Sequence, residues 1–273
     1  MKVFLKIFVW IIAVILLTVL TQIGGIVLLS CIPFFLWIKK KGFSAWKKRG
    51  YKVLIFMAAY TVATIVIVPL LAPLFGREAL PIFSSDKLKP LTYGTCFFNR
   101  HYVTPELKEV CINVADKMNE KYPNTVVAYM DANFPFIDEF PLLPHLSHND
   151  GEKIDIAFFY TKEEKTLQRV APTFLGYGGY EYPLTGEEDK PEFCHQNGYF
   201  QYSFTAIFPV TRPHLSFDEE RTKVLTQLFL QESAIQKIFI EPHLKARLGL
   251  WNDKVRFHGC GAVRHDDHIH VQL

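Results

Sequence analysis

The front of the chain most limits what it can fold into, because residues 1–75 hold nine Lys or Arg and no acid, and most of the rest is apolar. From Ile7 to Ile38 the apolar run is longer than the roughly 20 residues a membrane helix needs. Gly24-Gly25 lies at its middle, so the run is either one long tilted helix or a tight hairpin. Lys39-Lys40-Lys41, Lys47-Lys48-Arg49 and Lys52 follow without an acid, the mark of a loop facing the cytoplasm. A second apolar run, Val53 to about Phe75, then carries the chain to the opposite side. A cleavable signal peptide fits poorly, since the apolar run is too long and no small-residue cleavage site follows it. Buried core helices of a soluble protein are the competing reading, and two such runs flanking a polybasic turn speak against it.

This reading divides the chain into a membrane anchor, residues 1–75, with two spans and a basic cytoplasmic loop at 39–52. A linker at 76–94 holds two prolines and mixed charge, and a domain at 95–273 lies in the periplasm or outside the cell. Beyond residue 75 the chain carries 21 basic and 27 acidic side chains, a balance of −6. The positive charge therefore sits in the loop between apolar runs, and a basic nucleic-acid-binding surface is disfavoured. Of five cysteines, Cys96, Cys111, Cys194 and Cys260 belong to the domain. In an oxidising compartment they allow up to two disulfides in three connectivities, and buried free thiols are the alternative.

Within the domain, Thr104-Pro105-Glu106 opens a helix with Leu107, Val110, Val114 and Met118 on its apolar stripe. Asn124 to Asp131 reads as a strand, Ala132 to Leu146 as a loop, and Ile154 to Phe158 as a strand by its alternation. Residues 161–212 set Gly176, Gly178 and Gly179 among aromatics, either a mobile lid or an extra β-hairpin with core aromatics. Ser216 to Gln236 is helical by caps and periodicity, Lys237 to Glu241 is a strand, and Pro242 to Leu248 is a short helix.

Chemistry concentrates in two places. His148 and Asp155 lie seven positions apart across a turn at Gly151, and the chain ends His265-Asp266-Asp267-His268-Ile269-His270-Val271-Gln272-Leu273. On an extended strand His268 and His270 share a face. His148, Asp155 and one terminal histidine supply the three nitrogen or oxygen ligands that a catalytic zinc takes from protein.

These residues carry a resemblance. Ser147-His148-x-x-Gly151-x-x-x-Asp155 followed by a distant His-x-His resembles the zinc peptidases that include lysostaphin, D-Ala-D-Ala peptidases and the hedgehog signalling domain. His145-x-Ser147-His148 and His265-Asp266-Asp267-His268-x-His270-Val271 are more narrowly similar to the penicillin-insensitive murein endopeptidases. The resemblance covers about residues 95–273. It implies an α+β fold, a small domain with a central antiparallel sheet flanked by helices, which here follows the transmembrane helices read from the apolar runs. It also implies a zinc ion on His148, Asp155 and His270, and peptidoglycan peptide as substrate.

Where related zinc peptidases place a Glu three residues before the last ligand, this chain has Asp267, expected to point away. His268 becomes the first choice for general base, His265 the second, and His145 a further candidate for a direct role. Asp266 either orients a ligand imidazole or is a solvated turn carboxylate. His101, His195, His214, His243 and His258 receive no role. Arg100 and Arg264 are candidates for holding a terminal carboxylate, which a carboxypeptidase needs and an endopeptidase does not. A catalytically silent zinc-binding module that uses the cleft for a protein or cell-wall ligand is the alternative function.

Overall fold

The computed structural model describes residues 2–273. Helix Lys2–Thr21 ends where Gln22 turns left-handed, at φ 64°. The chain then reverses into Gly24–Ser30 and Ile32–Lys40, so the first apolar run is a hairpin. Gly25 makes the close approach possible, because a Cβ there would lie 2.0 Å from Thr18 Oγ1 and 2.7 Å from the Val14 carbonyl oxygen. Further down, Trp10 meets Phe35 with ring centroids 6.0 Å apart. The Thr18 and Thr21 hydroxyls donate to carbonyls four residues back, at 2.8 and 2.7 Å, so these polar groups are satisfied within an apolar segment.

Ser44 caps the next helix, Ala45–Val62, which continues through a π turn at Ala63–Ile67 and short helical turns to Phe75. Among the described residues two helices are long and apolar enough to cross a membrane, Phe4–Thr21 and Ala45–Phe75, with mean hydropathies of 2.6 and 2.4 and only 6% and 17% of those windows buried. Such low burial does not suit the core helices of a soluble protein. Asn99 Nδ2 donates to the Thr21 carbonyl at 3.3 Å and to the Tyr60 hydroxyl at 3.2 Å, so the hairpin tip lies level with Tyr60. Residues 61–75 therefore rise past the tip by about 22 Å at helical pitch. One face of that stretch, Ala63, Val68 and Ala72, packs with Tyr102 and Phe136 of the domain.

The domain is α+β, but its main sheet is mixed and six-stranded rather than purely antiparallel. The spatial order is Val255–Arg256, Lys237–Phe239, His268–Gln272, Lys153–Ala157, Val127–Tyr129 and Leu88–Pro90. The three inner pairings are antiparallel and the two outermost are parallel. Each outer pair is joined in sequence through a helix, Pro105–Lys121 on one side and Pro242–Arg247 on the other, and such crossovers return a strand in parallel.

The stretch 76–94, expected as a linker, contributes an edge strand, and Leu80 and Leu88 are buried in the core. Its prolines mislead because Pro90 ends an edge strand, where a missing N–H costs little. Helix Pro105–Lys121 starts as expected, with Thr104 Oγ1 accepting from the Leu107 N–H at 3.4 Å. Helix Glu219–Gln231 is capped by Asp218, two residues later than the sequence suggests. Leu107, Val114 and Met118 of the first and Leu225 and Phe229 of the second join Ile154, Ile156, Ile269 and Val271 in one core. The opposite side chains of those two central strands, Asp155, His268 and His270, are thereby left for the other face.

Residues 160–167 do form a β-hairpin, which pairs with Ser216–Phe217. Beyond it the chain is irregular apart from helix Lys190–Gln196 and a 3-10 stretch at Phe200–Ile207. Tyr177, Tyr180 and Tyr202 of this region are buried core aromatics.

Candidate metal centre

The register of the two central strands sets His270 directly opposite Asp155 and His268 opposite Ala157. His148 arrives from the loop after Met130. Its Nδ1–H donates to the Ala132 carbonyl at 2.8 Å, which leaves Nε2 as the lone-pair nitrogen facing the strands. His148 Nε2 lies 3.1 Å from His270 Nδ1 and 3.2 Å from Asp155 Oδ1, and His270 Nδ1 lies 2.9 Å from the same oxygen. Tetrahedral ligands on bonds of about 2.0–2.1 Å stand about 3.3 Å apart, so this triangle needs only a slight expansion to hold an ion. His148, Asp155 and His270 are all buried, and together they could hold a metal.

The electrostatics suit the same role. Burial works against charge on Asp155, yet the imidazoles of His148 and His268 hold its carboxyl well below the usual range. Burial pushes His270 down to about 3, against the pull of Asp155, so its ring is neutral and its lone pair available.

Tyr177 holds the second oxygen of Asp155, donating its hydroxyl to Oδ2 at 2.7 Å while accepting from the Asp131 N–H at 3.1 Å. Asp131 in turn takes His145 Nδ1 at 3.1 Å and Arg100 Nη2 at 3.2 Å on its own Oδ2. His145 Nε2 is buried and has no partner.

His268 is built differently. Its Nδ1 bonds Asp267 Oδ1, and its Nε2, 3.5 Å from Asp155 Oδ1, has no hydrogen-bond partner. Burial disfavours its charge, but Asp155 and Asp267 outweigh that and raise it to about 9. Asp267 does point away from the ligand triangle, and it spends its other oxygen on the Gly178 N–H. It is the carboxylate that orients an imidazole. Asp266 is neither that nor a solvated turn residue, because it is fully buried and forked by Arg264.

The six residues singled out in the sequence, His145, His148, Asp155, His265, His268 and His270, line one cavity of about 250 Å³. His265 is buried there, its ring 5.0 Å from that of His268, and burial holds it well below its ordinary pKa. His258, given no role from sequence, lines the same cavity with its ring 5.6 Å from His265. Arg100 and Arg264 are outside it, spent on Asp131 and Asp266.

Sequence reasoning missed Tyr177 and Asp131, whose partners are distant in the chain. The glycines beside Tyr177 were the available signal, since Gly178 turns at φ 82° where a Cβ would meet the Thr205 carbonyl oxygen at 2.1 Å. One of the two possible disulfides forms, Cys194–Cys260, beside the cavity residue Gly261. Cys96 and Cys111 are buried free thiols, pushed up to about 11 and about 12 by burial.

The loop that delivers His145 and His148 is braced from the hairpin tip. The Phe136 N–H donates to Gln22 Oε1 at 2.9 Å, and Gln22 Nε2 donates to the Ile137 carbonyl at 3.4 Å. Comparison with protein-family models and with characterised proteins finds no match, so the chemistry of this centre is read from its own side chains.

Proposed function

We propose that the chain is a membrane-anchored zinc peptidase that hydrolyses amide bonds in the peptide cross-links of peptidoglycan. The observation that carries this reading is the pairing of a three-ligand triangle with an adjacent imidazole whose Nε2 is unengaged. Two imidazoles and one carboxylate with room for a fourth ligand are the donor set of catalytic rather than structural zinc. Bound there, zinc would supply Lewis acidity toward a carbonyl and lower the pKa of water. His268, fixed by Asp267, holds and moves a proton at Nε2, and His145, fixed by Asp131, presents a second such nitrogen.

The resemblance of His145 to His148 and of His265 to Val271 to the murein endopeptidases supplies the substrate class. Among the described residues no Lys or Arg lines the cavity, which favours an endopeptidase over a carboxypeptidase. The basic residues at 39–52 support a reading in which the domain lies outside the cytoplasm, where peptidoglycan lies.

The test uses the full chain in detergent with purified peptidoglycan, with and without chelator, and identifies new amino termini. Chelator-sensitive cleavage that His268→Ala abolishes while keeping its zinc is the expected result. A fully zinc-loaded chain that releases no new termini refutes the peptidase and leaves a silent binding module. Loss of zinc from His268→Ala would make that residue a ligand instead.

A further inference from the structure

A larger cavity lies elsewhere, between residues 60–69 of the long helix and the domain. It has a volume of about 1020 Å³. Thr61, Ile65 and Pro69 form one wall, and Ile82, Phe83 and Ile112 belong to the other. From these walls and their rim we infer that the cavity binds a bilayer glycerophospholipid with an ethanolamine headgroup, one acyl chain lying between helix and domain. Three observations support this occupant.

The first is continuity with the apolar surface of the long helix. Ile65 is 68% exposed and Phe83 on the facing wall is 80% exposed, so the mouth is bordered by side chains that water does not favour. A ligand entering past them comes from the hydrocarbon layer, and the inference rests to that extent on reading Ala45–Phe75 as a span. It does not rest on the metal centre.

The second is the charge of the rim. Lys87 and Lys108 are balanced there by Asp86 and Asp116. Lys87 pairs with Asp116 at 2.8 Å and Lys108 with Glu78 at 2.8 Å, and all four side chains are at least a quarter exposed. Open pairs of this kind contribute little and exchange partners readily. A phosphate can take the lysines while a primary ammonium takes the carboxylates. A singly anionic headgroup that took Lys87 would leave Asp116 facing it, whereas Asp86 keeps Lys89 at 2.8 Å.

The third is polar groups left over in an apolar lining. His101 lines the cavity at 2% exposure with Nδ1 unpartnered, and the Thr64 hydroxyl in the opposite wall is buried without a partner. Burial holds His101 down to about 3, so it is a neutral hydrogen-bonding group suited to an ester. Apolar walls with a few convergent polar groups are the usual composition of a small-molecule site.

The test is native mass spectrometry of the full chain in detergent, after equilibration with dioleoyl phosphatidylethanolamine, phosphatidylcholine or phosphatidylglycerol. Ile112→Trp and Ile65→Trp each fill the cavity from an exposed position, and Ile15→Trp adds the same ring at a distant apolar site. One phosphatidylethanolamine per chain is expected. Its retention should fall at least about tenfold in both filling variants, which is what exclusion of two buried methylenes implies, and not in the distant one. Zinc content should not change in any of the three.

Absence of a one-lipid adduct, or equal retention in all three variants, overturns the site. Equal retention of phosphatidylglycerol overturns the assignment of the rim, and equal retention of phosphatidylcholine overturns the primary ammonium. A chain that stays monodisperse without detergent would instead refute the span, and an unloaded metal centre with normal lipid binding would refute the zinc reading alone.

Discussion

Replacing Tyr177 by Phe removes one oxygen and tests how the metal centre is held. Asp155 divides its carboxylate: Oδ1 faces His148 and His270, and Oδ2 takes the Tyr177 hydroxyl at 2.7 Å. His145 Nδ1 lies 3.5 Å from Oδ2 but already bonds Asp131, so it does not replace the lost donor. A hydrogen bond to a charged group contributes about 1.5–3 kcal/mol. Groups that orient metal ligands change affinity by about 10–100-fold when removed. At about 1.4 kcal/mol per tenfold the two figures agree, so Tyr177→Phe should weaken zinc binding by one to two orders of magnitude. The Asp131 N–H also loses its acceptor, so the metal-free variant should unfold at a lower temperature. The assay is competition for zinc against a chromophoric chelator, run beside thermal unfolding of the metal-free chain. Unchanged zinc affinity in a folded variant would refute the claim that Tyr177 fixes the ligand carboxylate.

Other expectations follow from the same structure. Asp155→Ala, His148→Ala and His270→Ala should each strip zinc, and elemental analysis showing full occupancy in all three would refute the ligand assignment. Burial raises Glu181 from 4.5 to about 7, so the folded chain binds a proton more tightly than the unfolded one, and stability falls as pH rises from about 4.5 to about 7. Partial exposure limits this loss to about 1–2 kcal/mol, and Glu181→Gln should flatten the melting temperature over that window; a parent curve already flat there would refute it. Cys194→Ser opens a disulfide closing 66 residues, for which chain entropy gives about 4 kcal/mol as an upper bound, readable as a lower melting temperature. Gln22→Ala removes both contacts to the loop at 136–137 and should lower zinc affinity without changing the spans; equal affinity would show the loop to be self-supporting.

What was legible in the sequence had a local cause. The Thr104 cap and the alternation at Ile154 to Phe158 are each written in consecutive residues, and each corresponds to an observed element, whereas of the basic loop expected at 39–52 only residues 41–44 lie outside helices. Six site residues could be named because a strand places His268 and His270 on one face and a tight turn returns His148 to Asp155. The rest depends on residues far apart in the chain. Tyr177 meets Asp155 across 22 positions and Arg264 lies over Tyr180 across 84, and no period or spacing encodes such meetings. The two parallel edge strands were hidden for a related reason: Leu88–Pro90 and Val255–Arg256 are too short to announce themselves and gain their place from partners already in the sheet.

The contact between Gln22 and the 136–137 loop makes the anchor part of the working domain rather than a leash. Clipping the chain after Phe75 would free residues 76–273 but strip the support from beneath the histidine loop and uncover Tyr102 and Phe136, now packed on the helices. A shed fragment would therefore hold its candidate metal centre poorly and be prone to stick to itself. Were the chain the proposed peptidase, its cutting would be confined to what lies within reach of the anchor, and proteolytic release would act as an off switch rather than as a way of spreading activity.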